Sequence, residues 1–175
     1  MTAIDIRLIS ITELESDAIV NAANEMLLAG GGVCGAIFRA AGRQELQAAC
    51  AKIGRCATGS AVVTPGFRLK AKYVIHAVGP RWTGGTHGEH RLLCSAYRSA
   101  LEAAVGCGCR SIGFPLISAG IFGYPLEEAW KAALGTCSDY LAQDRSIKIV
   151  FAVLDERNAE LGRKILREIG LKPQD

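Results

Sequence analysis

Hydrophobic positions along this chain follow two different periods, and the order in which those periods alternate predicts the fold. Short runs rich in β-branched residues read as strands: 4–9 (IDIRLI), 18–20 (AIV), 61–63 (AVV), 73–78 (YVIHAV), 112–116 (IGFPL) and 147–153 (IKIVFAV). Between and after them come longer amphipathic stretches that read as helices: 35–42 running into 44–53, then 90–105, 125–142 and 158–170. The runs at 73–78 and 147–153 are apolar at nearly every position, which suits strands covered on both faces. The chain is therefore expected to be α/β, with a mostly parallel sheet between layers of helices. Pro125 falls in the first turn of the helix at 125–142, with Glu127 and Glu128 where the positive end of the helix dipole favours acids. Gly170, Lys172 and Pro173 mark the stop of the last helix, and Leu92, Tyr97, Leu101 and Trp130 are assigned to core packing. No repeat, low-complexity tract or linker divides the sequence, so residues 1–175 are expected to form one domain.

Composition narrows the class. A chain of 175 residues can bury a substantial core without disulfides or metals. With 50% hydrophobic residues, 21% charged residues and a net charge of +3, it is neither a disordered segment nor a polyelectrolyte. That balance tolerates an anionic ligand and gives no indication of nucleic-acid binding. The opening MTAIDIRLISITELESD mixes acids with apolar residues and lacks a basic leader, and no window holds the ~20 apolar residues that span a bilayer. Seven cysteines, at 34, 50, 56, 94, 107, 109 and 137, follow no framework spacing and read as free thiols of a cytoplasmic protein. Cys107 and Cys109 are one residue apart, a poor zinc spacing, and His87, His90 and Cys94 read as solvated groups around a loop. No metal or cofactor is expected.

Ligands of open α/β sheets bind beyond the carboxyl ends of strands, which draws attention to three loops: 21–35, 79–85 and 118–125. Gly30, Gly31 and Gly32 remove side chains so that a ligand can reach the main chain, and a helix beginning near Gly35 aims free N–H groups at the same place. Ser118, Gly120 and Gly123 repeat the device, with Phe122 as a flat apolar surface between them. Two such cradles suit a diphosphate flanked by sugars. Residues 30–35, GGGVCG, also satisfy G-x-G-x-x-G, but NEMLLA separates them from the strand and residues 52–56 offer no acid for a ribose, so a dinucleotide dehydrogenase is rejected.

The segments DAIVNAAN, GGGVCGAI, AAG, VIHAVGP followed by Trp82, and ISAGIFGYP resemble the macrodomain family, especially its MacroD-like bacterial branch. The resemblance implies a three-layer α/β/α domain with a mixed, mostly parallel sheet that binds ADP-ribose; many members hydrolyse ADP-ribose from acidic side chains or deacetylate O-acetyl-ADP-ribose. By the same resemblance Asn24 and Phe122 hold and position the distal ribose and are the candidate catalytic residues. Asn21, Ala22, Gly30 to Gly32, Val33 and Cys34 form one binding segment, and Ser118, Ala119, Gly120, Ile121 and Phe122 form the other. Ser10 and Ile11, with Leu154 and Asp155, are placed around adenine. Implied partners are ADP-ribose or O-acetyl-ADP-ribose and mono-ADP-ribosylated proteins, met by a monomer with no membrane role.

Departures from the family pattern bear on chemistry. Cys34 stands where the MacroD-like branch has an aspartate that orients water, and Phe38 where it has a histidine. Ile9 to Thr12 replace a Gly-Asp-Ile-Thr motif, so Ser10 would accept from the adenine amino group without charge assistance. Viral macrodomains also lack the acid, and the expected route is water attack oriented by ligand phosphate and loop backbone. Cys34 reads as a small buried side chain rather than a nucleophile, since no histidine is near it in sequence. The rival readings are a non-catalytic ADP-ribose reader and a slow ADP-ribose 1''-phosphatase.

Overall fold

Six strands pair into one sheet: β1 (Ile4–Leu8), β2 (Ala18–Ala22), β3 (Ala61–Pro65), β4 (Tyr73–Ala77), β5 (Ser111–Phe114) and β6 (Lys148–Val153), in the order β1-β6-β5-β2-β4-β3. All neighbours run parallel except β3, which is antiparallel to β4. The helices are α1 (Gly32–Ala41), α2 (Arg43–Ile53), α3 (Glu89–Gly106), α4 (Leu126–Leu141) and α5 (Glu156–Glu168). The structure, a computed structural model, describes residues 3–143 and 145–170; the predicted stop at Lys172 and Pro173 lies outside them.

Successive strand side chains point to opposite faces, and here both faces are buried. Ile149, Phe151 and Val153 of β6 enter a core shared with α3, α4 and α5, whereas Val150 and Ala152 enter the one shared with α1 and α2. The same division separates Ala18 and Val20 from Ile19 in β2, and Ile75 and Ala77 from Val74 in β4. This is the physical origin of the continuous apolar runs in the sequence. At the sheet margins the pattern changes: β1 sends Ile4 and Ile6 inward and pairs Arg7 with Asp5 (2.7 Å) on its other face, while β3 ends in Pro65. Charge and proline at edge strands discourage pairing with another chain.

The structure moves several predicted boundaries. The segment 35–53 is two helices, broken at Gly42, whose φ of +108° belongs to glycine and where a Cβ would also meet the Glu45 carboxylate. α1 begins at Gly32 rather than near Gly35, because Gly31 is already extended as its N-cap. A 3-10 turn at Ile11–Glu13 had no signal in the sequence. Leu92 is only partly buried, and Leu93 takes the core position. The buried stripe of α3 runs Leu93, Ala96, Tyr97, Ala100, Leu101, Ala104, and Leu92 falls one residue off that 3.6 period.

A polar cluster crosses the sheet at β2, β4 and β3. His76 is fully buried, its Nδ1 accepting from the Asn21 amide (3.1 Å) and its Nε2–H donating to Thr64 Oγ1 (2.9 Å). Burial pushes its pKa down from 6.5 to about 4, so the native imidazole is neutral. The unfolded chain takes up the proton first on acidification. Stability should therefore fall as pH drops from 6.5 to about 4, by on the order of 3 kcal/mol in total. Urea unfolding at several pH values in this window should reveal that loss in the wild type and a flatter profile in His76→Gln; parallel profiles would refute the assignment.

Candidate functional site

The chain leaves β2 toward α1 on one face of the sheet and leaves β5 toward α4 on the other, although β2 and β5 are neighbours. A crevice must open between such diverging connections, at the carboxyl ends of the strands. The cleft there has a volume of ≈ 570 Å³ and is walled by the segments that follow β2, β4, β5 and β6.

The wall after β2 is a stapled loop that ends in bare main chain. Asn24 closes it with both ends of its amide, donating to Leu28 O (2.8 Å) and accepting from Leu28 N–H (3.0 Å). Gln47 of α2 repeats the motif from outside, accepting from Ala29 N–H (2.9 Å) and donating to Leu27 O (3.1 Å). Leu27 is held at φ +57°, a strained conformation for a buried leucine that the staples maintain. Gly30 to Gly32 follow, and the first-turn N–H groups of α1 have no acceptor within the helix and no capping side chain. Cys34 is buried beneath this turn with its Sγ 3.7 Å from Leu28 O.

The wall after β5 is a second turn, closed by Gly123 N–H to Gly120 O (3.0 Å) and Tyr124 N–H to Ser118 O (2.9 Å). Those bonds leave the N–H groups of Gly120, Ile121 and Phe122 outside them. Ser118 sits at φ +67°, buried, with no partner for its Oγ among the described residues. Gly79, after β4, lies so close that a Cβ there would overlap Ser118 Oγ and Ile117. Phe122 O accepts from Trp82 N–H (2.8 Å), and the Arg81 guanidinium lies over the Phe122 ring at 4.5 Å. The two turns face each other: a Cβ placed on Gly31 would stand 4.0 Å from Ile121 Cδ1.

The third wall follows β6. Leu154 is 79% exposed, Asp155 caps α5 by accepting from Arg157 N–H (3.1 Å), and Asn158 accepts from Trp130 Nε1–H (2.7 Å). Helices α1, α4 and α5 all begin at the cleft. Glu127 and Glu128 offset the dipole of α4, and Asp155 and Glu156 that of α5; α1 has no acid in its first turn. The positive potential left for a ligand is therefore concentrated at Gly31 and Gly32.

The sequence model described as Macro domain matches residues 20–133. A macro domain-containing protein of Chlorobaculum tepidum is 52% identical over 157 residues, covering 89% of this chain and 91% of that protein. The chain belongs to the macro domain family. A Salmonella typhimurium protein named O-acetyl-ADP-ribose deacetylase is 48% identical over 168 residues, 93% of each chain. Among solved structures, the Oceanobacillus iheyensis macrodomain with ADP has a TM-score of 0.87 at 38% identity, over 94% of this chain and 90% of that one. The Trypanosoma brucei macrodomain in complex with ADP-ribose also scores 0.87, at 39% identity, over 94% of this chain and 69% of that one. The three-layer architecture with a mixed, mostly parallel sheet is the macro domain fold.

Within this macro domain, Ala22, Asn24, Gly30 to Cys34, Ser118 to Phe122, Leu154 and Asp155 all line the one cleft. Three predicted ligand contacts do not. Asn21 is buried in β2 and donates its amide N–H to His76, because a strand residue pointing into the sheet layer cannot also face the crevice. Ser10 bonds Thr12 Oγ1 (2.8 Å), and Ile11 is buried in the core shared with α1. Gly79 and Arg81, in the loop 79–85 singled out in the sequence, also line the cleft, and Leu126 and Asn158 line it without having been predicted. For Arg81 the signal was present, a cation in a strand-following loop; for Asn158 it was not, since only the Trp130 bond turns that helix position into a wall.

Proposed function

We propose that this protein binds ADP-ribose in the cleft and hydrolyses ADP-ribosyl esters, as an O-acetyl-ADP-ribose deacetylase and mono-ADP-ribosyl-protein hydrolase. The observation that carries the reading is the pair of facing turns whose unused amides converge on the one helix terminus without its own acids. The pyrophosphate lies between them, held by N–H groups of Gly31, Gly32 and Val33 on one side and Gly120 to Phe122 on the other. Asn24 and Phe122 flank the distal ribose, with the remaining amide N–H and lone pair of Asn24 turned to its hydroxyls. Leu154 and Asp155 stand at the adenine end.

Among the described residues lining the cleft the only carboxylate is Asp155, and it is engaged in capping α5. No side-chain base therefore stands by the glycine turn, and the attacking water is oriented by the ligand's phosphate and by loop backbone. The water oxygen bonds to the anomeric carbon of the distal ribose, the bond from that carbon to the ester oxygen breaks with its electron pair leaving on the carboxylate, and one water proton passes to solvent or phosphate. Positioning rather than a strong base supplies the rate.

The same missing carboxylate is what favours a second reading, a module that captures ADP-ribose without turning it over. Incubation with O-acetyl-ADP-ribose and with a peptide mono-ADP-ribosylated on glutamate, following release of acetate and of free ADP-ribose, separates the two. Release of both products is expected. Intact esters alongside tight ADP-ribose binding by calorimetry would establish the reader instead. Cys34→Ala should leave turnover within about threefold, because the thiol packs against Leu28 O and has no base beside it; abolished turnover with retained binding would mean covalent catalysis.

A further inference from the structure

A second cavity of ≈ 580 Å³ adjoins the cleft, and Asn24, Gly79, Arg81 and Phe122 line both. Two of these, Asn24 and Phe122, are the residues assigned above to the distal ribose, so the shared wall lies at the reacting end of the proposed ligand. Two carboxylates face the second cavity, and both are already engaged. Glu25 accepts from Arg55 (3.2 Å) and Thr58 Oγ1 (3.2 Å). Glu89 is buried and accepts from the N–H groups of Thr83 (3.2 Å), Gly85 (2.6 Å) and His87 (2.5 Å), gathering residues 83–87 around itself. Burial alone would raise its pKa, yet those donors outweigh it and hold the carboxyl at about 2.

Arg81 is different. It makes no ion pair among the described residues and rests its guanidinium on the Phe122 ring. A stacked guanidinium keeps its N–H edges free for a planar, two-pronged partner. We infer that the second cavity receives the carboxyl-bearing half of the ester, an acidic side chain with its adjoining peptide, and that Arg81 holds the carboxylate as it departs. The inference rests on the hydrolase reading above.

Chemistry and size both support it. When the bond between the anomeric carbon and the ester oxygen opens, its electron pair leaves on the carboxylate, which gains its charge as the bond breaks, so a cation at that position stabilises the transition state more than the ground state. An acetyl group has only a few heavy atoms and would occupy a small part of ≈ 580 Å³, whereas a glutamate side chain with neighbouring main chain uses it. Met26 and Leu28, both more than half exposed, supply apolar contact in the same cavity for the stem of such a side chain.

The test compares the wild type with Arg81→Ala and Arg81→Lys on the ADP-ribosylated glutamate peptide and on O-acetyl-ADP-ribose, with ADP-ribose affinity measured separately. Loss of a charge-assisted bidentate contact is expected to lower kcat/KM for the peptide by about 10- to 100-fold in Arg81→Ala. Arg81→Lys should recover part of this, the effect on O-acetyl-ADP-ribose should be smaller, and ADP-ribose affinity should stay within about twofold. An equal loss of ADP-ribose affinity would place Arg81 on the pyrophosphate and overturn the inference, as would unchanged peptide turnover. Should the wild type hydrolyse neither ester, the hydrolase reading falls by itself. The carboxylate site is then decided by titrating N-acetylglutamate α-amide into ADP-ribose-saturated protein while following the Arg81 Nε–H resonance. A saturable shift lost in Arg81→Ala supports the site; no shift refutes it.

Discussion

Asn24→Ala is expected to lower kcat/KM for an ADP-ribosyl ester by about 100-fold or more, the scale on which small misplacements of a reacting group act. Both ends of the Asn24 amide hold Leu28, and the strained Leu27 lies inside the loop they close. Truncation frees the segment that leads into Gly30 and removes the polar group proposed to face the distal ribose. ADP-ribose affinity should fall much less, because the amides proposed for the pyrophosphate belong to Gly31 to Val33 and to the turn across the cleft. Steady-state kinetics paired with titration calorimetry reads this split directly. Equal losses in both, or a change in kcat/KM under about threefold, would mean that Asn24 is loop scaffold alone.

Gly162→Val should be the most destabilising of the substitutions considered, by about 3 kcal/mol or more, which for a chain of this length lowers Tm by roughly 6–12 °C. A Cβ at Gly162 of α5 would stand 2.7–2.9 Å from three atoms of the Trp130 ring. That ring cannot retreat, being fully buried against Phe151 (5.3 Å between centroids) and tied to Asn158. Because Asn158 lines the cleft, the strain should also reach ligand affinity. Gly135→Ala in α4 is the control, since nothing lies within 4 Å of its added Cβ; with the helix preference for alanine it should be neutral or stabilising by up to about 1 kcal/mol. Thermal unfolding of both variants tests the contrast, and similar melting of Gly162→Val and the wild type would show that α5 can shift away.

Element type was legible in the sequence because burial on both sheet faces leaves a continuous apolar run, as at 149–153, while a one-sided helix leaves a 3.6-residue stripe, as in α3. The two turns were legible for a related reason. A ligand that is to touch main chain excludes side chains, and glycine and small residues at 30–32 and 118–123 record that exclusion locally. Helix starts were less so: Gly31 and Gly35 look alike in sequence, and only backbone conformation tells which one caps α1.

What the sequence by itself determined was the α/β class, the strand-following loops that carry the glycines, and the family pattern those loops spell, since each is written within a few consecutive residues. Which partners a side chain meets was decided by tertiary structure alone. Asn21 and Asn24 are identical in type and three positions apart, yet one turns into the sheet to His76 and the other lines the cleft. Asn158 and the loop that carries Gly79 and Arg81 reach the cleft from segments far apart in the chain, and Ser10 and Ile11 miss it. Pairings between distant segments depend on strand order and on which way each connection leaves the sheet, and no local pattern of polar and apolar residues encodes either.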